Sequence, residues 1–278
     1  MGDIPEKFLL SRFLVFTVFS QLSSYAAVVE GGDTLSLGAS ITGNQTIISE
    51  NGTFELGFFS PNGTTNWYIG IWYANITEKT IVWVANRENP ARNRSGVLKL
   101  SKEGDLELFD AEGASLWSAD TSNKASRAVI LDSGNLVMLS DENKFETVWQ
   151  SFDYPVGTLL PGMRFGGQQK LVSWKSSLDP APGLFSYQSD PSGVKQLVLI
   201  WNSSVQYWGS GTWDGNAFSQ IPEMRNKVFY NISVENTNSA LYVTYTSMGI
   251  KNALSRFVLV NSGGTQLYGL LDDAKWSL

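Results

Sequence analysis

The sequence predicts an all-β protein of two tandem domains built from hairpin repeats, and three observations support this. The first is a recurring unit: a Gly, a short apolar strand, a polar turn and a second strand ending in Trp. It reads GTFELGFFSPNGTTNW from Gly52 to Trp67, GDLELFDAEGASLW from Gly104 to Trp117 and GNLVMLSDENKFETVW from Gly134 to Trp149. It returns as GVKQLVLIWNSSVQYW from Gly193 to Trp208 and GTQLYGLLDDAKW from Gly264 to Trp276. The second is a period of two inside the units, with Leu106 and Leu108 alternating with Asp105 and Glu107, as half-buried antiparallel strands require. The third is that no stretch holds a 3.6-residue apolar period over three turns, so almost no helix is expected.

A lone hairpin cannot bury its apolar face, so several must pack around a shared axis that the terminal Trp residues can fill. On this pattern Trp67, Trp72, Trp83, Trp117 and Trp149 read as core more readily than as an aromatic platform for sugars. Three units fall before residue 150 and two after it. The Gly- and Pro-rich stretch SFDYPVGTLLPGMRFGGQQ divides them. The expected boundaries are 27–152 and 153–278.

Residues 1–26 read as a secretory signal peptide. Lys7 and Arg12 precede the apolar run Phe13–Phe19, and Ser24-Tyr25-Ala26 supplies small residues for cleavage after Ala26. The run is far shorter than the roughly 20 apolar residues of a spanning helix. Seven Asn-x-Ser/Thr sequons support export: Asn44, Asn51, Asn62, Asn75, Asn93, Asn202 and Asn231. With 19 Asn and 50 Ser plus Thr in 278 residues, chance supplies about three or four acceptors. N-glycans on these seven and an extracellular location are therefore expected, with Asn51, at the mouth of a strand, the weakest acceptor.

Composition excludes much chemistry. The chain has no His and no Cys, so it holds no Ser-His-Asp or Cys-His nucleophile, no thiolate zinc site and no disulfide. Its net charge of −6, from 20 basic and 26 acidic residues, argues against nucleic-acid binding. No cofactor, no metal and no catalytic residue is expected. The loop GSGTWDG (Gly209–Gly215) has the wrong spacing for a dinucleotide fingerprint and reads as a turn cluster. Arg87 and Glu88 read as a surface ion pair at a strand end.

Several longer strings resemble one family. DTLSLGASITGNQTIISENGTFELGFFSP, NWYIGIWY, IVWVANRENP, LDSGNLVML, VWQSFDYPVGTLLPGM and LVSWKSSLDPAPGLFS resemble the bulb-type lectin domain of plant S-domain proteins. GSGTWDGNAFSQIPEM and SRFVLV resemble the S-locus glycoprotein region that follows it. The family comprises the S-locus glycoproteins and the G-type lectin S-receptor-like kinases, whose roles include pollen recognition. The resemblance implies two bulb-lectin-like β-prisms. It also implies that a complete receptor continues into EGF-like, PAN, transmembrane and kinase parts, where the family keeps its cysteines. No kinase motif occurs here, and a chain without one would act as a co-receptor, decoy or soluble binder.

Mannose-binding bulb lectins carry Gln-x-Asp-x-Asn-x-Val-x-Tyr on a strand. Here the matching positions are Ser101, Glu103, Asp105, Glu107 and Phe109 in one unit, with no identity. Ser49, Asn51, Thr53, Glu55 and Gly57 retain none in a second, and only Asn135 and Val137 survive in the third. Each unpaired sugar hydroxyl costs about 1–3 kcal/mol, so these degenerate pockets are expected not to bind mannose usefully. The sequence thus points to a recognition module for an extracellular peptide or protein that pairs with S-domain receptors as a homo- or heterodimer. Specificity is expected in the loops 61–66, 88–95 and 213–226. The alternative is a carbohydrate-binding lectin that uses a site outside the motif.

Overall fold

The turn Asp132-Ser133-Gly134 shows how closely this chain is folded on itself. Gly134 sits at φ +82°, and a Cβ there would lie 2.5 Å from Leu160 and 2.9 Å from Phe54, so only Gly serves. The computed structural model describes residues 32–121, 123–141, 146–225, 230–238, 240–247, 254–270 and 276–277. The expected signal peptide lies outside the described residues.

Three short strands open the first half: β1 (Thr34–Ser36), β2 (Ser40–Thr42) and β3 (Thr46–Ile48). Each begins a different antiparallel sheet. β3 is continued by β4 (Phe54–Phe59), β5 (Tyr68–Tyr73) and β6 (Ile81–Val84). β2 is joined by β7 (Val97–Leu100), β8 (Leu106–Phe109) and β9 (Ser115–Ser118). β1 is joined by β10 (Arg127–Ile130), β11 (Leu136–Ser140) and β12 (Glu146–Gln150). The result is a prism of three four-stranded sheets. Ile71, Leu108 and Met138, one from each sheet, are fully buried inside it.

The second half repeats the plan. β13 (Thr158–Leu159), β14 (Phe165–Gly166) and β15 (Lys170–Ser176) again start three sheets. β16 (Asp179–Ser189), β17 (Leu197–Trp201) and β18 (Val205–Gly209) extend β15. β21 (Ser255–Leu259), β22 (Thr265–Leu270) and β23 (Trp276–Ser277) extend β13. The middle sheet differs. β19 (Tyr230–Asn236) and β20 (Leu241–Ser247) run in the order β14-β20-β19, giving three strands. Among the described residues the only helices are two 3₁₀ turns, Ser151–Asp153 and Pro222–Arg225. The chain is all-β, as expected.

The repeat unit needs one correction. It is three-stranded, and the last strand of each first-half sheet carries the axial Trp: Trp83 on β6, Trp117 on β9 and Trp149 on β12. Their ring centroids are 5.9, 6.0 and 6.1 Å apart, all edge to face, a geometry worth about 0.5–1.5 kcal/mol per pair beyond area burial. Trp67 is not part of this triangle. It bridges to Ala91 and lies under the Arg94 guanidinium, 4.9 Å from the ring centre. Apolar alternation marked Trp67 as a unit end because residues 68–84 form a further hairpin within the same sheet.

The two prisms share one continuous apolar core. Tyr73 donates to the Ser255 carbonyl at 3.0 Å, and Trp276 stands 5.0 Å from Tyr73 and donates to Thr80 Oγ1 at 3.1 Å. Burial pushes the Tyr73 phenol up. Arg87 is the second correction. Rather than pairing with Glu88 at the surface, it reaches from the end of β6 into the second prism. Its Nε donates to the Pro180 carbonyl at 2.8 Å, and its two terminal nitrogens donate to Val172 at 3.1 Å and Ser173 at 2.8 Å. Desolvation brings its pKa down to about 10.

Candidate functional site

The Trp triangle does more than fill the axis. Trp83, Trp117 and Trp149 also line a cleft of about 950 Å³ between the prisms. Trp83 Nε1 donates to the Tyr154 carbonyl at 3.0 Å, which fixes the connecting segment across the end of the first prism. Tyr154 then stacks on Trp149, with centroids 5.5 Å apart and planes at 15°, while remaining 48 % exposed. From the second prism Gln169 Nε2 donates to the carbonyls of Phe152 and Asp153 at 3.2 and 3.3 Å. The cleft therefore offers an aromatic floor held from both sides. Its exposed charged rim is Glu88, Asp120 and Asp153 against Lys170, and the Arg87 cation is already committed to carbonyls. The rim is net acidic.

The two retained mannose-motif positions, Asn135 and Val137, are buried. Asn135 is 6 % exposed. Its Nδ2 donates to Gln150 Oε1 at 2.9 Å, and its Oδ1 accepts from Ser151 Oγ and the Phe152 N–H, both at 3.2 Å. Gln150 in turn donates to Asp153 at 3.0 Å. Val137 is buried on β11, opposite Val129 and Gln150. In the other two units Asp105 is paired with Lys124 at 2.6 Å, and Glu55 accepts from Trp72 Nε1 at 2.8 Å.

Of the sequon asparagines, Asn44, Asn62, Asn93 and Asn202 are exposed, and Asn93 Oδ1 already accepts from Ser95 N–H at 2.9 Å. Asn51 and Asn75 are exposed too, but their Nδ2 atoms donate to Asp132 at 2.6 Å and to the Gly52 carbonyl at 2.9 Å. Asn231 is half-buried within β19. Of the three expected specificity loops, 88–95 reaches the cleft through Glu88 and Asn89 and is bridged to the end of 61–66 by Trp67. Of the loop 213–226, Asn226 lies outside the described residues, and 213–225 stands elsewhere, tied by Asp214 to the N–H groups of Ala217 and Asn216 and to Arg225. Local sequence gave no hint that Tyr154 would stack on Trp149 or that Gln169 would line the same cleft, because these residues come together only in the tertiary fold.

Three sheets around one axis, twice in one chain, define a tandem β-prism of the bulb-lectin class. The D-mannose binding lectin family matches residues 80–175, and the S-locus glycoprotein domain matches residues 208–278. The chain belongs to the plant S-domain family, through its bulb-type lectin and S-locus glycoprotein domains. It is 38% identical to a G-type lectin S-receptor-like serine/threonine-protein kinase of Arabidopsis thaliana, covering 96% of this chain and 34% of that one. It is also 38% identical to the S-locus-specific glycoprotein S6 of Brassica oleracea, covering 93% and 61%. The chain thus spans about a third of such a kinase and less than two thirds of the glycoprotein. Neither matched domain is a kinase domain.

Among solved structures it is similar to the Japanese Marasmius oreades lectin, at 21% identity over 45% of this chain and 92% of that one, TM-score 0.34. It is also similar to the two-domain Scilla campanulata agglutinin, at 13% identity over 86% and 97%, TM-score 0.30. No described helix is long and apolar enough to cross a membrane.

Proposed function

We propose that the chain is an extracellular recognition module that holds a peptide or protein segment in the interdomain cleft and pairs with like receptors. In this reading residues 1–26 are removed on export, 27–152 and 153–278 are the two domains, and the seven sequons are the N-glycan acceptors, with Asn51 and Asn75 the least occupied. The supporting observation is the cleft itself. At about 950 Å³ it lies at the large end of ligand sites, with an exposed Tyr154 for apolar contact and three exposed carboxylates against one exposed Lys. A short extended segment carrying Lys or Arg and an aromatic residue suits that surface.

Mannose is not its ligand in this reading, because Asn135 already has three internal partners. The Tyr154–Trp149 stack also favours a second reading, a sugar bound by stacking outside the mannose motif. A synthetic hexapeptide library and a glycan array separate the two. Enriched basic-aromatic peptides should lose at least tenfold in affinity in Tyr154→Ala and in the double variant Asp120→Asn/Asp153→Asn. Glycan binding that depends on Tyr154, with no peptide enriched, overturns the peptide reading. Sub-millimolar mannose binding that vanishes in Asn135→Ala would overturn the account of the degenerate pocket.

A further inference from the structure

The second prism lacks the device that closes the first. In the first prism each sheet ends in a strand that delivers one Trp to the axis. The second prism's middle sheet has three strands among the described residues, so no fourth strand delivers a counterpart of Trp117. Trp276, which ends the last sheet, turns to Tyr73 and Thr80 at the interface instead. What remains on the axis is a hollow of about 310 Å³, lined by residues from all three sheets and from the segment 218–224.

Two features distinguish this hollow from loose packing. Ile232, Val243, Phe257 and Leu267 face it from strands yet stay half-buried, so it communicates with solvent, whereas every residue of β5 in the first prism is buried. The other feature is polar. Tyr187 is 7 % exposed, stacked on Phe165 with centroids 5.6 Å apart, and lines the hollow. Its hydroxyl has no hydrogen-bond partner among the described residues. Tyr245, which lines the same space, is satisfied by the Leu159 carbonyl at 3.1 Å. The hydroxyl is not one of the buried unpartnered side-chain atoms; it is accessible from the hollow that Tyr187 lines, where a ligand acceptor would pair with it.

We propose that the second prism binds a neutral, apolar, ring-sized molecule in this hollow, with one oxygen accepting from the Tyr187 hydroxyl. No lining residue is charged, which excludes a carboxylate or an amine. A cavity of about 150 Å³ holds benzene, so this one suits about twice as many heavy atoms, the size of a substituted two-ring system. The site is separate from the interdomain cleft and stands whether or not the cleft binds peptide.

The test uses the full chain and three probes: 1-acetylnaphthalene, 1-ethylnaphthalene and 1-naphthoate, followed by titration calorimetry and saturation-transfer NMR. Acetylnaphthalene should bind with one-to-one stoichiometry, and Tyr187→Phe should weaken it about three- to tenfold, the worth of one hydrogen bond. Ethylnaphthalene, which has no acceptor, should compete for the same site and bind Tyr187→Phe as well as the parent. Naphthoate should bind at least tenfold more weakly than acetylnaphthalene. Val243→Phe should abolish binding of both neutral probes. Should that variant fail to fold, the competition and the Tyr187→Phe comparison still decide. Binding of neither neutral probe, or acetylnaphthalene binding indifferent to Tyr187→Phe, overturns the proposal.

Discussion

Replacing Arg87 with Ala removes three hydrogen bonds that cross from one prism to the other. Charge-assisted bonds are worth about 1.5–3 kcal/mol each, so the carbonyls of Val172, Ser173 and Pro180 gain roughly 6 kcal/mol together. Against this stands the desolvation of the guanidinium. Its pKa falls from 12.5 to about 10, which at 1.36 kcal/mol per unit is a cost of about 3 kcal/mol. The expected net loss in Arg87→Ala is therefore about 3 kcal/mol, or a fall in Tm of about 6–12 °C for a fold of this size. Arg87→Lys presents a point charge to carbonyls arranged for a planar fork and should recover no more than about a third of the loss. Urea unfolding followed by Trp fluorescence measures both variants. If Arg87→Ala unfolds within about 0.5 kcal/mol of the parent, as an ordinary surface change would, Arg87 is not the tie described here. A Lys variant equal to the parent would show that charge alone, not fork geometry, matters.

Three further outcomes are expected. Trp149→Ala should cost about 3–5 kcal/mol and remove most of the near-ultraviolet circular dichroism of the Trp triangle, whereas Trp67→Ala should leave that signal in place. Glycopeptide mass spectrometry of the secreted chain should find high occupancy at Asn62, Asn93 and Asn202. Asn51 and Asn75, whose amides are already engaged, should show low occupancy, and equal occupancy at all five would contradict this ranking. The Asp214 carboxyl is held down to about 2, chiefly by the Ala217 and Asn216 N–H groups and then by Arg225. Because its folded pKa lies below the unfolded one, its contribution to holding the 214–225 loop is complete above about pH 4 and lost as pH falls toward 2. Carbon NMR should place its midpoint near 2, and Arg225→Gln should raise it only partway. A full return to the ordinary value would show that the ion pair, not the backbone, sets it.

The hairpin pattern was legible because its determinants are local. Gly134 must sit in a positive-φ turn, and Leu106 and Leu108 must face one way while Asp105 and Glu107 face the other. The three opening strands were not legible. β1, β2 and β3 are three residues each, too short to carry a pattern, and the partners of β1 and β2 lie far along the chain. For the same reason the unit ending at Trp67 was read one hairpin too early. Arg87 was misplaced for a different reason. Its position just past β6 resembles a solvated strand end, and its acceptors are main-chain carbonyls more than 80 residues away, which no side-chain pattern encodes.

The sequence by itself determined the all-β class, the twofold repetition and the family, all of which rest on residue type and short-range spacing. Tertiary structure alone decided which three Trp residues meet, that Asn135 turns its amide inward, that Arg87 ties the prisms, and that one axis is filled while the other is hollow. The physical reason is common to all four. Each depends on groups from separate sheets arriving at one point, and the free energy of such a meeting depends on distances and unpaired polar groups that exist only once the sheets have closed around their axes.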